Sequence, residues 1–257
     1  MRSDDAPILE FDPSPTAVIE PTGHIDPTDI PRRAVLCFFQ DVIAQAVEEF
    51  AGREIDEVRS EIGLVPVYEV SVEGSRLALV HPGVGAPLAA AFLEELIARG
   101  VAGVIACGGA GVLVPDVALG HVVVPTAAIR DEGTSYHYLP PSREVEPSDV
   151  AVKALIATLE RRAVPFVTGK TWTTDALYRE TRSKLQQRVE EGCLTVEMEA
   201  AAFFAVAKFR GITFGQVLYA GDDLSGEEWD ARGWDVHESG RMQLFRLAAE
   251  AALELPA

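Results

Sequence analysis

Four short stretches hold residue types that could act on a small polar ligand. In Val196-Glu197-Met198-Glu199-Ala200, two carboxylates stand two apart, a spacing that can accept a pair of sugar hydroxyls. If residues 196–199 finish a strand, both acids point to one side by its period of two. If they are already helical, they diverge by about 200°. Two acids there would equally offset the dipole of a first helical turn. Ala220-Gly221-Asp222-Asp223-Leu224-Ser225 offers Asp222 as a general acid, or as an Asx turn or helix cap. Cys107-Gly108-Gly109-Ala110-Gly111 is rich enough in glycine to cradle phosphate, ribose or base. No Lys follows it, so it is not a triphosphate loop. His81-Pro82-Gly83-Val84-Gly85-Ala86-Pro87 is either a tight turn or a close backbone approach to a ligand, with a helix N-terminus offering N–H donors.

Each stretch follows an apolar run, and the runs alternate with helical patterns. Strands are expected over 17–19, 76–82, 103–109, 121–129, 165–171, 194–198 and 213–220. Helices are expected over 33–50, where Leu36, Phe39, Val42, Ile43, Ala46, Val47 and Phe50 form one stripe, and over 87–99, 150–161, 199–209 and 239–253. Gly100 and Gly211 would close two of them. The alternation predicts an α/β fold: one three-layer αβα domain across 1–257, with residues 1–30 partly irregular. Its central twisted sheet would be largely parallel, though mixed, with helices on both faces. In such sheets ligands sit at the carboxyl ends of strands, where the four stretches fall.

The balance of 22 basic against 40 acidic residues, a net charge of −18, repels a phosphate backbone and argues against nucleic-acid binding. No apolar run is long enough to cross a bilayer, and the start MRSDDAPILEFDPSP has acids and prolines where a signal peptide needs an apolar core. A cytoplasmic protein is expected. Cys37, Cys107 and Cys193 form no C-x-x-C pair, and histidines 24, 81, 121, 137 and 237 have no H-x₃-H spacing, so neither disulfides nor a metal is expected.

Taken in chain order, G-V-G-x-P, G-G-A-G, V-E-M-E-A and G-D, the four stretches resemble the nucleoside phosphorylase family, which contains uridine phosphorylases, hexameric purine nucleoside phosphorylases and methylthioadenosine/adenosylhomocysteine nucleosidases. The likeness runs from about Leu77 to Ser225 and is most specific at V-E-M-E-A. Trp172-Thr173-Thr174-Asp175-Ala176-Leu177-Tyr178 resembles the family's base-pocket segment, and 122–135 its long strand with the following turn. The resemblance implies that Glu199, with Met198 beneath the sugar, binds the ribose hydroxyls and Glu197 supports them. Val196 and Leu177 would line the pocket, Leu177 standing where relatives usually have Phe. Gly85, Gly108 and Gly109 would line the sugar and phosphate side, and Asp222 would protonate or hydrogen-bond N7 of a purine. An aspartate does this only if burial or a nearby acid raises its pKa, and Asp223 is the adjacent candidate.

The sequence departs from the family at the phosphate. Ala106 and Gly109 stand where R-x-G-[ST] places Arg and Ser/Thr, and no G-D-P-x-R follows the first strand. His81, Arg32, Arg33, Arg130 or an Arg of a neighbouring subunit are the candidate replacements. Hydrolytic relatives use an N-terminal Glu, for which Glu20 is the nearest residue. Uridine phosphorylases carry Q-x-R where this chain has Arg179-Glu180-Thr181-Arg182, and Asp222 favours a purine. Glu227-Glu228-Trp229-Asp230 would be a lid, or a solvated loop with Trp229 packed down. The expected activity is phosphorolysis of a nucleoside to free base and sugar 1-phosphate, with phosphate as co-substrate and no cofactor. Hydrolysis and a non-catalytic nucleoside-binding module are the alternatives. A dinucleotide-dependent oxidoreductase is disfavoured because Gly83-Val84-Gly85-Ala86-Pro87-Leu88 lacks the third glycine. The resemblance also implies a homo-oligomer, a dimer or hexamer, to which Phe38-Phe39 and Tyr136–Tyr138 could contribute contacts.

Overall fold

The computed structural model describes residues 6–233 and 238–256. The first five residues of the acidic start, and His237, lie outside the described residues. The elements are β1 (Arg33–Cys37), α1 (Gln40–Glu49), β2 (Arg53–Ser60), β3 (Gly63–Val72), β4 (Ser75–Val80), α2 (Ala86–Arg99), β5 (Gly103–Val112) and β6 (Val122–Asp131). There follow β7 (Glu144–Val145), α3 (Asp149–Arg161), β8 (Phe166–Thr174), α4 (Arg182–Glu190), β9 (Cys193–Glu197), α5 (Ala200–Arg210), β10 (Thr213–Asp223) and α6 (Glu238–Leu253).

The strands form a mixed sheet in the order β10-β6-β8-β9-β5-β1-β4-β3-β2, with β7 beside β6. The pairs β1–β4, β1–β5, β5–β10, β6–β8 and β8–β9 are parallel. Because β5 and β10 also pair, strands β10, β6, β8, β9 and β5 close into a ring, from which β1, β4, β3 and β2 extend. Helices α1, α3 and α6 cover one face, where Val42, Leu155 and Phe245 meet Val35 and Ile105. Helices α2 and α5 cover the other through Phe92, Leu96, Phe203 and Phe204 on Leu36 and Val104.

Three sequence expectations change. The helix expected over 33–50 divides into β1 and α1. Ala34 to Cys37 are buried on both faces and pair with β4 and β5, so the run has no polar side and its apolar residues fit a helix pattern by composition alone. Residues 17–19 are not a strand: Val18 is fully exposed, and among the described residues the segment before β1 holds only the short 3-10 turns Pro7–Leu9 and Pro21–Gly23. The glycine stretch 107–111 lies inside β5 rather than beyond a strand end. Gly108 lacks a side chain because Phe38 packs there; a Cβ would lie 2.8 Å from Phe38 Cδ2. The β2–β3 hairpin and α4 were not expected. Helix α4 buries only Leu185 and Arg188, too little for a visible stripe.

Candidate active site

The carboxyl ends of β4, β5, β8, β9 and β10 gather the candidate residues. Strand β9 stops at Glu197 and Glu199 is the N-cap of α5, so the two glutamates separate. Glu197 turns into the protein. Its Oε2 accepts the N–H groups of Glu199 (2.7 Å) and Ala200 (2.6 Å), and its Oε1 accepts the Thr173 hydroxyl at 2.6 Å. Thr173 in turn accepts the N–H of Ala201 at 2.9 Å. Glu197 therefore caps the α5 N-terminus and fixes the corner that carries Met198 and Glu199.

Glu199 points the other way. Its Oε1 accepts the N–H of Gly85 at 2.5 Å, at the N-terminus of α2. Gly85 has φ +90°, a conformation suited to glycine, and the space where a side chain would stand is open for 4 Å. Burial raises the pKa of both glutamates; Glu197 adds its charge against Glu199, and N–H bonds from Gly85 and Met198 only partly offset this. Glu132, buried after β6, adds a smaller repulsion on Glu197.

The base side is built differently. Asp222, at the end of β10, accepts the indole N–H of Trp229 on Oδ2 at 2.6 Å. Its Oδ1 lies over Gly111, where a Cβ would stand 3.5 Å from it and 3.0 Å from Val196 Cγ1. Val196 and Asp222 thus meet above one glycine. Leu177 is 47% exposed on the turn after β8, at the rim beside a more exposed Tyr178. Trp229 is exposed rather than packed down, in a loop closed by the Asp223–Asp230 bridge. Asp223 is engaged elsewhere. Although burial pushes its pKa up, hydrogen bonding with Ser225 and an ion pair with Arg232 outweigh this and hold it below its ordinary value.

The four candidate phosphate residues are not brought together. Arg32 is exposed just before β1, and Arg33 Nε donates to the Leu255 carbonyl at 2.7 Å; both sit at the amino end of the sheet, opposite the site. Arg130 is buried and holds the 135–142 loop through Ser135 Oγ (2.8 Å), Ser142 Oγ (2.7 Å) and the carbonyls of Pro140 (2.7 Å) and Leu139 (3.1 Å). His81 stands beside Phe38, and its Nδ1 accepts the Gly83 N–H at 3.1 Å, which requires a neutral imidazole at that nitrogen. Burial lowers its pKa against the pull of a hydrogen bond with the Phe38 backbone. Gly109 alone of its stretch is exposed, with Phe39 Cε1 3.9 Å from where its Cβ would lie. Among the described residues no group of three or more His, Cys, Asp or Glu is placed to hold a metal, and no helix is long and apolar enough to cross a membrane.

Sequence reasoning missed Thr173 as the ligand of Glu197 and passed over Glu180, a half-buried acid whose pKa is raised by burial and, less, by the charge of Asp222. A buried threonine and a lone acid in a polar run carry no spacing signal.

Known proteins share this arrangement of strands. A uridine phosphorylase structure from Vibrio fischeri superposes with a TM-score of 0.75 at 26% identity, covering 89% of this chain and 92% of that one. An AMP nucleosidase structure from Bacteroides thetaiotaomicron has the same fold, with a TM-score of 0.71 at 24% identity over 88% and 89% of the two chains. In sequence, a guanosine phosphorylase of Halorubrum lacusprofundi is 30% identical over 199 residues, 77% of this chain and 76% of the relative. Residues 32–253, from the strand that opens the sheet to the last helix, match the Phosphorylase superfamily, and the chain belongs to that family.

Proposed function

We propose that the protein cleaves the N-glycosidic bond of a purine nucleoside with inorganic phosphate, releasing free base and sugar 1-phosphate. The observation that carries this reading is the placement of Glu199 at the open space over Gly85 while Asp222 stands above Gly111 beside Val196. As the bond breaks, the sugar gains oxocarbenium character, which carboxylates and fixed dipoles stabilise. Glu199 accepts sugar hydroxyls, and their hydrogen bonds favour its ionised form. Glu197 keeps that corner rigid, and Asp222 meets the leaving base. Phosphate is the co-substrate, and the chemistry calls for no cofactor. Assembly into a dimer or hexamer belongs to the same reading, supported by exposed Val84, Leu177 and Tyr178.

A second reading, hydrolysis, is favoured by one observation: Phe38 packs on Gly108, and none of the four candidate cations presents a charge there. Chromatography of base released from adenosine, inosine, guanosine, uridine, thymidine and 5′-methylthioadenosine, with and without phosphate, separates the readings. Phosphate-dependent release with sugar 1-phosphate supports phosphorolysis. Release without phosphate supports hydrolysis, and absence of release from every nucleoside removes both.

A further inference from the structure

The loop between β4 and α2 turns sharply at Gly83 and aims the Gly85 N–H at Glu199. Gly83 has φ +79°, and a Cβ there would lie 2.6 Å from Leu88 Cδ2, so the turn presses on the start of α2. One side chain closes on this turn. His81 Nδ1 accepts the Gly83 N–H at 3.1 Å, two residues before Gly85 donates to Glu199 Oε1 at 2.5 Å. The far side of the imidazole meets the end of β1. Its ring stands edge-on to Phe38, with centroids 6.1 Å apart. Because Nδ1 is the acceptor, the neutral ring carries its hydrogen on Nε2, and that N–H donates to the Phe38 main chain. Phe38 is held in turn: its N–H donates to the Cys107 carbonyl at 3.0 Å, and its ring packs on Gly108 and lies 6.4 Å from that of Phe203 in α5. One imidazole therefore joins the loop that presents Gly85 to the aromatic wall over Gly108.

We propose that His81 is a positioning residue, a neutral clasp between Gly83 and Phe38 that fixes the Gly85 N–H on Glu199 and so sets the direction in which Glu199 meets the sugar. The role rests on the nucleoside reading above. Among the described residues no hydrogen bond joins His81 to Glu199 or Asp222, so it acts through the main chain of the loop and through Phe38. Gly83 and Gly85 both have positive φ, and a loop built on two such glycines flexes unless a side chain ties it. Glu199 is held by main-chain N–H groups, those of Gly85 and Met198, so a shift of the loop turns its carboxylate. Misplacing a positioned group by about 1 Å costs about 10²-fold in rate.

The test splits the clasp. His81→Asn puts an amide oxygen near the place of Nδ1 and keeps the Gly83 bond, His81→Gln puts an amide nitrogen near the place of Nε2 and keeps the Phe38 bond, and His81→Leu keeps neither. Val84-Gly85 is the one Val-Gly pair in the chain, so carbonyl-¹³C valine with ¹⁵N glycine marks the Gly85 amide alone. Its proton, held on a carboxylate, should move upfield in His81→Leu and His81→Gln and stay in place in His81→Asn. With the nucleoside that the wild-type protein cleaves fastest, His81→Leu should lower kcat/KM about 10²-fold, and His81→Asn should recover about tenfold of it. In a Glu199→Ala background, His81→Leu should cost less than about threefold more, because the group it positions is gone. Equal losses in both backgrounds would assign His81 to general packing and overturn the clasp, as would an unmoved Gly85 amide. If His81→Leu does not fold, the other two decide: an amide moved in His81→Gln and unmoved in His81→Asn supports the clasp, and any other pattern overturns it. Absence of base release by the wild-type protein overturns the nucleoside reading beneath it, while the Gly85 amide still tests the clasp.

Discussion

At the β9–α5 corner, Glu197 has both carboxylate oxygens hydrogen-bonded, to two main-chain N–H groups and a hydroxyl that is itself engaged with α5. At the base end, Asp222 has one donor recorded among the described residues, from a Trp229 that is 61% exposed, and Glu180 has none. One end is rigid because the helix start and the strand end both need the same buried acid. The other is joined by loops whose ties, such as those of Arg182, run to main-chain carbonyls. Mutations should therefore reduce stability at the first end and turnover at the second, with Glu199 on the boundary.

The largest expected effect is at Glu197. Glu197→Ala leaves two buried N–H groups and a hydroxyl without an acceptor and should lower the unfolding free energy by about 3 kcal/mol in urea titration. An unchanged midpoint would break the contrast between the two ends. Glu199→Gln retains the shape but weakens the bonds to the sugar, so kcat/KM should fall about 10²-fold while the fold persists. The same variant sharpens the comparison through pH. The folded protein holds at Glu199 a proton that the unfolded chain has released, so this stabilisation is full below the ordinary carboxylate range and is lost as pH rises through the raised value. Melting temperatures measured from about pH 5 to pH 8 should fall less steeply for Glu199→Gln than for wild type.

At the looser end, Trp229→Phe removes the indole donor on an exposed side chain. It should change kcat severalfold, about 0.5–1.5 kcal/mol, with an unmoved melting temperature. A loss of stability larger than the loss of rate would show that this end is as rigid as the other. The smallest effect is expected at Arg32, exposed and opposite the site. Arg32→Ala should leave both stability and the phosphate requirement within error, about 0.5 kcal/mol.

Much of this contrast was legible as a list of residues and little of it as relations. The strand ends bearing Gly85, Glu199 and Asp222 could be read because glycines and acids interrupt apolar runs. The opposite directions of Glu197 and Glu199 could not, since they depend on the strand stopping one residue before Met198. Strand β1 was hidden because burial on both faces removes periodicity. The arginines misled because their partners are main-chain groups: Arg33 is held by the carbonyl of Leu255 at the far end of the sequence and Arg130 by carbonyls of the loop that follows its own strand, and no spacing announces which arginine will be spent that way. Glu180 drew no attention as one acid in a polar segment, and only the fold half-buries it within reach of the charge of Asp222.

The ring made by the second pairing of β5 with β10 also bears on self-association. A sheet that closes on itself at one side leaves its outermost strand, β2, as the long ladder of unpaired main-chain groups open to another chain. That strand reads Arg-Glu-Ile-Asp-Glu-Val-Arg-Ser, so each approach of a second backbone meets a charged side chain within a residue or two. The ends of β5, β8, β9 and β10, which carry most of the candidate residues, sit in the part of the sheet with no such template, and the border at β2 is guarded against fibre-like growth.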